Sequence, residues 1–203
     1  MIKVVCFDFG GVYRKVQRGE HSWRDIWKNK QREIGKKIPY KLYAHLQRRL
    51  DSGEISLKDF HLTLFRKIRK KYTEEELIIY SKPKLQQDIL DSKIRKIVSK
   101  LRKKRYLVPL ISNTIKEKLW IHRKKGDYKI FSHEFISCEL GLSKDDTSIY
   151  RFACKKLRIT PKESVMVDDN PDFLRPARKI GMKTILFKNS RQLEKELEKI
   201  GVL

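Results

Sequence analysis

The chain has 203 residues, 39% of them hydrophobic, three cysteines and a formal net charge of +24. That length fills one well-cored domain with room for a smaller attached unit, and the apolar content excludes a disordered chain. No apolar run reaches the roughly eighteen residues of a membrane helix. Cys6, Cys138 and Cys154 are odd in number and far apart, which argues against a disulfide framework or a zinc site. The opening apolar stretch, broken by Lys3 and Asp8, lacks a cleavage pattern, so the expectation is a cytoplasmic protein with no membrane partner.

In chain order, Ile2 to Phe7 is a short apolar, β-branched run that predicts a buried strand and stops at Asp8-Phe9-Gly10-Gly11. Residues 13–91 then change character, with amphipathic helical pieces and no strand-like run. Trp23, Ile26, Trp27 and Ile34 form one stripe, and Leu42, Tyr43, Leu46 and Leu50 form the next, beginning from Pro39. Ser56 to Lys70 and Thr73 to Tyr80 complete the block, with Ser56/Asp59 and Thr73/Glu76 spaced as capping boxes. Strand-like runs resume at Tyr106 to Ile111, more weakly at Glu134 to Ser137, then at Ser164 to Val167 and Lys183 to Phe187. Between and after them lie helices with clear punctuation. One is striped by Ile149, Phe152, Ala153 and Leu157. Another is capped by Asn170, with Pro171 at its first position and Gly181 beyond its end. The last is striped by Leu193, Leu197 and Ile200.

Apolar strands alternating with helices predict an α/β fold, a Rossmann-like doubly wound parallel sheet covered on both faces. The predicted domains are a core of residues 1–12 and 92–203 and an inserted all-helical cap of residues 13–91. Parallel sheets build their sites at the carboxyl ends of the strands, and here those ends offer Asp8, Ser112-Asn113 and Asp168-Asp169. Converging carboxylates repel unless a cation joins them, and an all-oxygen set suits Mg²⁺. One strand-end aspartate can then act as a nucleophile in phosphoryl transfer. Ser112 and the backbone amides after it are candidates to hold a phosphoryl oxygen.

Taken together, these segments resemble the haloacid dehalogenase superfamily. Val5-Cys6-Phe7-Asp8-Phe9-Gly10-Gly11-Val12 resembles its first motif and Leu110-Ile111-Ser112-Asn113 its second. Gly141-Leu142-Ser143-Lys144-Asp145 is similar to the lysine-bearing third, and Val165-Met166-Val167-Asp168-Asp169-Asn170 to the fourth. All four stand in the family's order, and the helical insertion after the first matches its helical-cap subclass. The resemblance implies that Asp8 is the nucleophile and a metal ligand, with Asp168 and Asp169 as further ligands of Mg²⁺ and Gly10 contributing its carbonyl. It also implies that Ser112 and Asn113 lie at the phosphoryl group and that Lys144 balances charge on phosphate and nucleophile. Gly10 departs from the pattern. Phosphatases of the superfamily usually carry a second Asp there, which protonates the leaving group, and dehalogenases often carry Tyr.

The implied function is Mg²⁺-dependent hydrolysis of a small phosphate monoester through an aspartyl-phosphate on Asp8. The rival readings are displacement of halide from a 2-haloacid, and a catalytically weak protein whose basic surface binds RNA or other polyanions. Against the halide reading stand the absent Tyr at position 10 and the paired Asp168-Asp169. The basic residues are spread along the whole chain, so a solvated surface is the plain expectation for the charge, with sequence-independent polyanion binding as the alternative. In the cap, His21, Trp23 and Arg24 fall where a substrate could be touched, with Trp23 expected in a core and His21 at the surface. His21 is the first candidate there for a leaving-group proton donor. A carboxylate restored by Gly10→Asp is expected to speed alkyl phosphates more than aryl ones.

Overall fold

The four residues of β1 (Val4–Phe7) are all buried, and their side chains alternate between two separate cores. Val5 and Phe7 enter one hydrophobic cluster, whereas Val4 and Cys6 enter another. A period of two with both phases apolar requires cover on both faces. In the computed structural model, which describes residues 1–15, 23–82 and 89–203, helices supply that cover. The helices α5 (Ser92–Lys103) and α10 (Ser190–Lys199) close one face through Ile94, Ile97, Leu101, Leu193 and Leu197. On the other lie α8 (Ser148–Leu157) and α9 (Pro171–Lys179), through Ile149, Ala153, Leu174 and Ala177.

The remaining strands are β2 (Leu110–Ser112), β3 (Glu134–Ile136), β4 (Ser164–Asp168) and β5 (Lys183–Leu186). They form one five-stranded sheet in the order β3-β2-β1-β4-β5, and every pairing is parallel. The expected doubly wound α/β fold is therefore present. β2 is shorter than the run Tyr106 to Ile111 predicted. Val5 N and Phe7 N donate to the carbonyls of Leu107 and Pro109 at 2.9 and 3.0 Å, but Pro109 has no N–H to return. A regular strand begins only after it. At the other edge of β2, Ser137 belongs not to β3 but to a single helical turn, α7 (Ser137–Leu140). The cysteines are all buried and free, in keeping with small apolar side chains.

The described residues between 15 and 89 form four helices: α1 (Trp23–Ile34), α2 (Tyr40–Asp51), α3 (Leu57–Lys67) and α4 (Glu74–Ser81). Both expected capping boxes are made, Ser56 with Asp59 at α3 and Thr73 with Glu76 at α4. Leu46, Leu50, Phe60, Leu64, Phe65 and Leu77 pack into a third cluster that is joined by Ile115. The segment leaves and returns side by side, since Lys15 N donates to Ile89 O at 2.9 Å and Asp91 N to Tyr13 O at 2.8 Å. His21, and the side chains of Trp23 and Arg24, lie outside the described residues.

Candidate active site

β2, β1 and β4 are neighbours in the sheet, so their carboxyl ends bring Ser112, Asp8 and Asp168 to one edge. Asp8 follows β1 directly and its N–H donates to Val167 O at 2.9 Å, which holds it against β4. The turn after it is tight. Gly11 has φ +82°, and a Cβ there would lie 2.1 Å from Asp169 Oδ2, so only glycine lets the Asp169 carboxylate approach the backbone. Asp169 is thereby seated beside the turn that carries Asp8.

Lys144 lies between α7 and α8 and joins the two buried aspartates. Its Nζ is 2.7 Å from Asp8 Oδ1 and 2.7 Å from Asp168 Oδ2, and the side chain is almost wholly buried. The Phe173 ring, from α9, covers the ammonium at 4.6 Å. Burial alone would push the Lys144 ammonium down, but Asp168 and Asp8 outweigh it and hold the group above its ordinary value. Burial pushes Asp168 up, to about 7, against the pull of Lys144. With 2.7 Å contacts to both carboxylates and a further N–H from Asn170 to Asp168 Oδ1 at 2.8 Å, the proton rests on Lys144 and the aspartates are its counter-charges.

Asn113 holds this lysine loop in place. Its Oδ1 accepts from Lys144 N at 3.0 Å, its Nδ2 donates to Ser143 Oγ at 3.1 Å, and Ser143 Oγ donates to Asp145 Oδ2 at 2.5 Å. The amide of Asn113 is thus spent on the Lys144 backbone. The Ser112 hydroxyl is buried with only a long 3.5 Å contact to Asn113 O, which leaves it able to meet an oxyanion. Not every amide after it is open: Thr114 N donates to Ser137 Oγ at 3.0 Å. Asn113, Ser143 and Ser137 therefore form a scaffold behind the site. Neither Ser137 nor Phe173 carried a sequence signal for this role; Phe173 reads as one member of an apolar helix stripe.

One carboxylate oxygen from each of Asp8, Asp168 and Asp169 lies within 4.8 Å of the others, a spacing one cation can bridge. All donors are oxygen, which fits a hard divalent ion such as Mg²⁺. Gly10 differs from its neighbour: a Cβ there would meet Arg14 Nη2 at 3.4 Å, an ordinary contact, so a side chain at this position would have a guanidinium beside it. Backbone bonds fix that approach, as Gly11 N donates to Arg14 O at 2.7 Å and Arg14 N to Phe9 O at 2.7 Å.

Over 64 residues the chain is 41% identical to bifunctional epoxide hydrolase 2 of Rattus norvegicus, a stretch covering 32% of this chain and 12% of that protein. It is 34% identical over 107 residues to the glyceraldehyde 3-phosphate phosphatase of Pyrococcus furiosus, covering 51% of this chain and 44% of that one. The chain thus spans less than half the length of these relatives. Among solved structures, a haloacid dehalogenase family enzyme of Bacteroides thetaiotaomicron in complex with magnesium and inorganic phosphate superimposes with a TM-score of 0.63. The identity is 20%, over 93% of this chain and 95% of that one, so the likeness is one of fold. The profile of the haloacid dehalogenase-like hydrolase family matches residues 2–181, from the strand that leads into Asp8 to the glycine beyond α9. A match of that extent, on a sheet whose strand order brings the four motifs to one edge, makes this chain a member of the haloacid dehalogenase-like hydrolases.

Proposed function

We propose that this hydrolase cleaves small phosphate monoesters, with Asp8 as the nucleophile and residues 13–91 as the cap that selects the ester. The observation that carries the reading is the bridge from Lys144 to both Asp8 and Asp168, with the Asp169 carboxylate beside them. Asp8, Asp168, Asp169 and the Gly10 carbonyl would hold Mg²⁺, which supplies charge neutralisation for a phosphate entering among carboxylates. Lys144 keeps one Asp8 oxygen oriented, at 2.7 Å from Nζ, while the other attacks phosphorus. The Ser112 hydroxyl donates to a phosphoryl oxygen. Asn113 keeps Lys144 in register through its backbone. The P–O ester bond breaks as the Asp8–phosphorus bond forms, and water then releases inorganic phosphate and restores Asp8.

The phosphatase similarity of the Pyrococcus protein supports this reading, although it covers only 51% of this chain. Hydrolysis of 4-nitrophenyl phosphate with Mg²⁺ that EDTA abolishes is the expected result. Turnover of 2-chloropropionate in EDTA, with no phosphate released from any ester, would overturn it in favour of halide displacement.

A further inference from the structure

Lys and Arg are spread along the whole sequence, but the fold gathers a group of them at one end. Every strand of the sheet is parallel, so the helices that connect strands return the chain the other way. The acidic edge with Asp8 and Asp168 lies at the carboxyl ends of the strands, and α5, α8 and α9 end at the opposite, amino edge. So does α6 (Lys116–Lys125), between β2 and β3. The last turn of each of these four helices carries Lys or Arg. Cations there complement the partial negative charge of a helix end. That does not account for the loops and strand starts between the helices. Lys104 follows α5, Lys129 lies in the loop before β3, Lys162 stands before β4 and Lys183 opens β5, and all four are exposed.

Contacts between neighbouring strand entries join these residues into one band. Arg102 Nη1 donates to Ile130 O at 3.0 Å, tying the end of α5 to the loop that holds Lys129. Leu107 N donates to Lys3 O at 3.2 Å, and Lys3 N to Glu163 O at 2.8 Å. Beyond Glu163, a Cβ at Gly181 would lie 3.7 Å from Lys162 Cγ, which brings the entry to β5 alongside. The band therefore follows the strand order β3-β2-β1-β4-β5, and four strand spacings make it about 19 Å long. Two carboxylates on it are already paired, Glu163 with Lys3 at 2.5 Å and Glu134 with Arg123 at 2.7 Å. Lys104, Lys129, Lys162 and Lys183 have no ion pair among the described residues.

We propose that the amino edge of the sheet docks a nucleic-acid duplex through its phosphates, at the end of the molecule opposite the acidic edge. A duplex presents one negative charge per about 1.7 Å of its axis, and a straight row of unpaired lysines complements that density. The contacts are to the backbone alone, so the docking positions a duplex without reading its bases. A protein partner would call for an apolar or aromatic centre, and an anionic membrane for an inserted apolar face. Among the described residues the band exposes Met1 and Leu107 as its large apolar side chains, with Trp120 a turn back on α6. A single strand would call for a row of aromatic rings on which bases stack, and the described residues of the band offer no such row.

The test is the affinity for a short DNA duplex, read by fluorescence anisotropy over a range of salt concentrations. One variant carries Lys104→Glu, Lys129→Glu, Lys162→Glu and Lys183→Glu. A second, of the same net charge, carries Lys37→Glu, Lys41→Glu, Lys67→Glu and Lys71→Glu. The edge variant should bind about 10²-fold more weakly at low salt, with the slope of log affinity against log salt shallower by about 3. The second variant should lose less than about fivefold. All eight lysines are exposed, so circular dichroism should match wild type, and Gln at the four edge positions should give a smaller loss in the same direction. Equal losses in the two variants would mean that net charge alone attracts the duplex, and would overturn the proposal. So would wild-type protein that does not bind the duplex at low salt, or that prefers single-stranded DNA or phosphatidylserine vesicles to it. None of these measurements needs turnover, so their outcome is separate from that of the phosphatase reading.

Discussion

Lys144 is a cation with almost no water around it, held by two carboxylates rather than by solvent. Removing one side of such an arrangement leaves buried charge without compensation, which costs about 3–5 kcal/mol. Lys144→Met should therefore lower stability by about that amount in EDTA, read by urea unfolding, with added Mg²⁺ recovering part of the loss by joining Asp8 to Asp168. Asp8→Asn keeps the shape and one acceptor for Lys144 but has no nucleophilic carboxylate. Its expected turnover is lower by about 10³-fold or more with circular dichroism unchanged; phosphatase activity at the wild-type level would sink the role given to Asp8. Gly10→Asp, expected from the motif comparison to speed alkyl phosphates, introduces a side chain with Arg14 Nη2 3.4 Å from its Cβ. The new carboxylate would lie beside Arg14, which keeps it ionised, and an ionised group is a poor acid. The expected gain on alkyl phosphates is less than about tenfold.

At the level of elements, the helix starts and the end of α2 make separate predictions. Ser56 accepts from Asp59 N at 3.1 Å, and the Asp59 side chain returns to Ser56 N at 3.3 Å. Ser56→Ala should destabilise the chain by about 1 kcal/mol, read as a lower urea midpoint with kcat on aryl phosphate unchanged. Asp51 gives stability a slope with pH. Its folded value, about 7, lies above its ordinary 3.8, so its contribution is complete below about pH 4 and is lost as pH rises through 7. Asp51→Asn removes the titrating group, and the decline in stability between those limits should flatten. At pH 8 the variant should be at least as stable as wild type, and marked destabilisation at pH 8 would show that the ionised Asp51 carboxylate is itself held by the fold.

Across the whole molecule the dominant property is charge. Between Ser92 and Arg105 every charged residue is Lys or Arg, and all of them are exposed, because the apolar positions of α5 are committed to the core. Lys100 is paired with Glu194, but its neighbours add to the field. Such a surface attracts polyanions without reading sequence. Nucleic-acid binding is expected to be indifferent to sequence and to weaken steeply with salt, by about 10³-fold or more from 50 to 200 mM if six or more phosphates are neutralised. Filter binding with two unrelated duplexes at several salt concentrations measures this. Nanomolar, sequence-selective binding at high salt would show a dedicated nucleic-acid role.

The sheet and its acidic edge were legible in the residues themselves. Short apolar runs ending in Asp8, Ser112 and Asp168 report burial on both faces and a functional strand end, because periodicity and local chemistry are written along the chain. Helix starts were legible for the same reason: Ser56, Thr73 and Asn170 each bond to a backbone amide within three residues. Tertiary structure decided what depends on residues far apart in sequence. That Lys144 spans Asp8 and Asp168, that Asn113 secures its loop, that the Arg14 guanidinium stands beside Gly10 and that Asp51 at the end of α2 is buried are all such facts. No local pattern distinguishes Asp51 from any other helix-end aspartate, because its burial and its raised pKa arise only when residues distant in sequence pack around it.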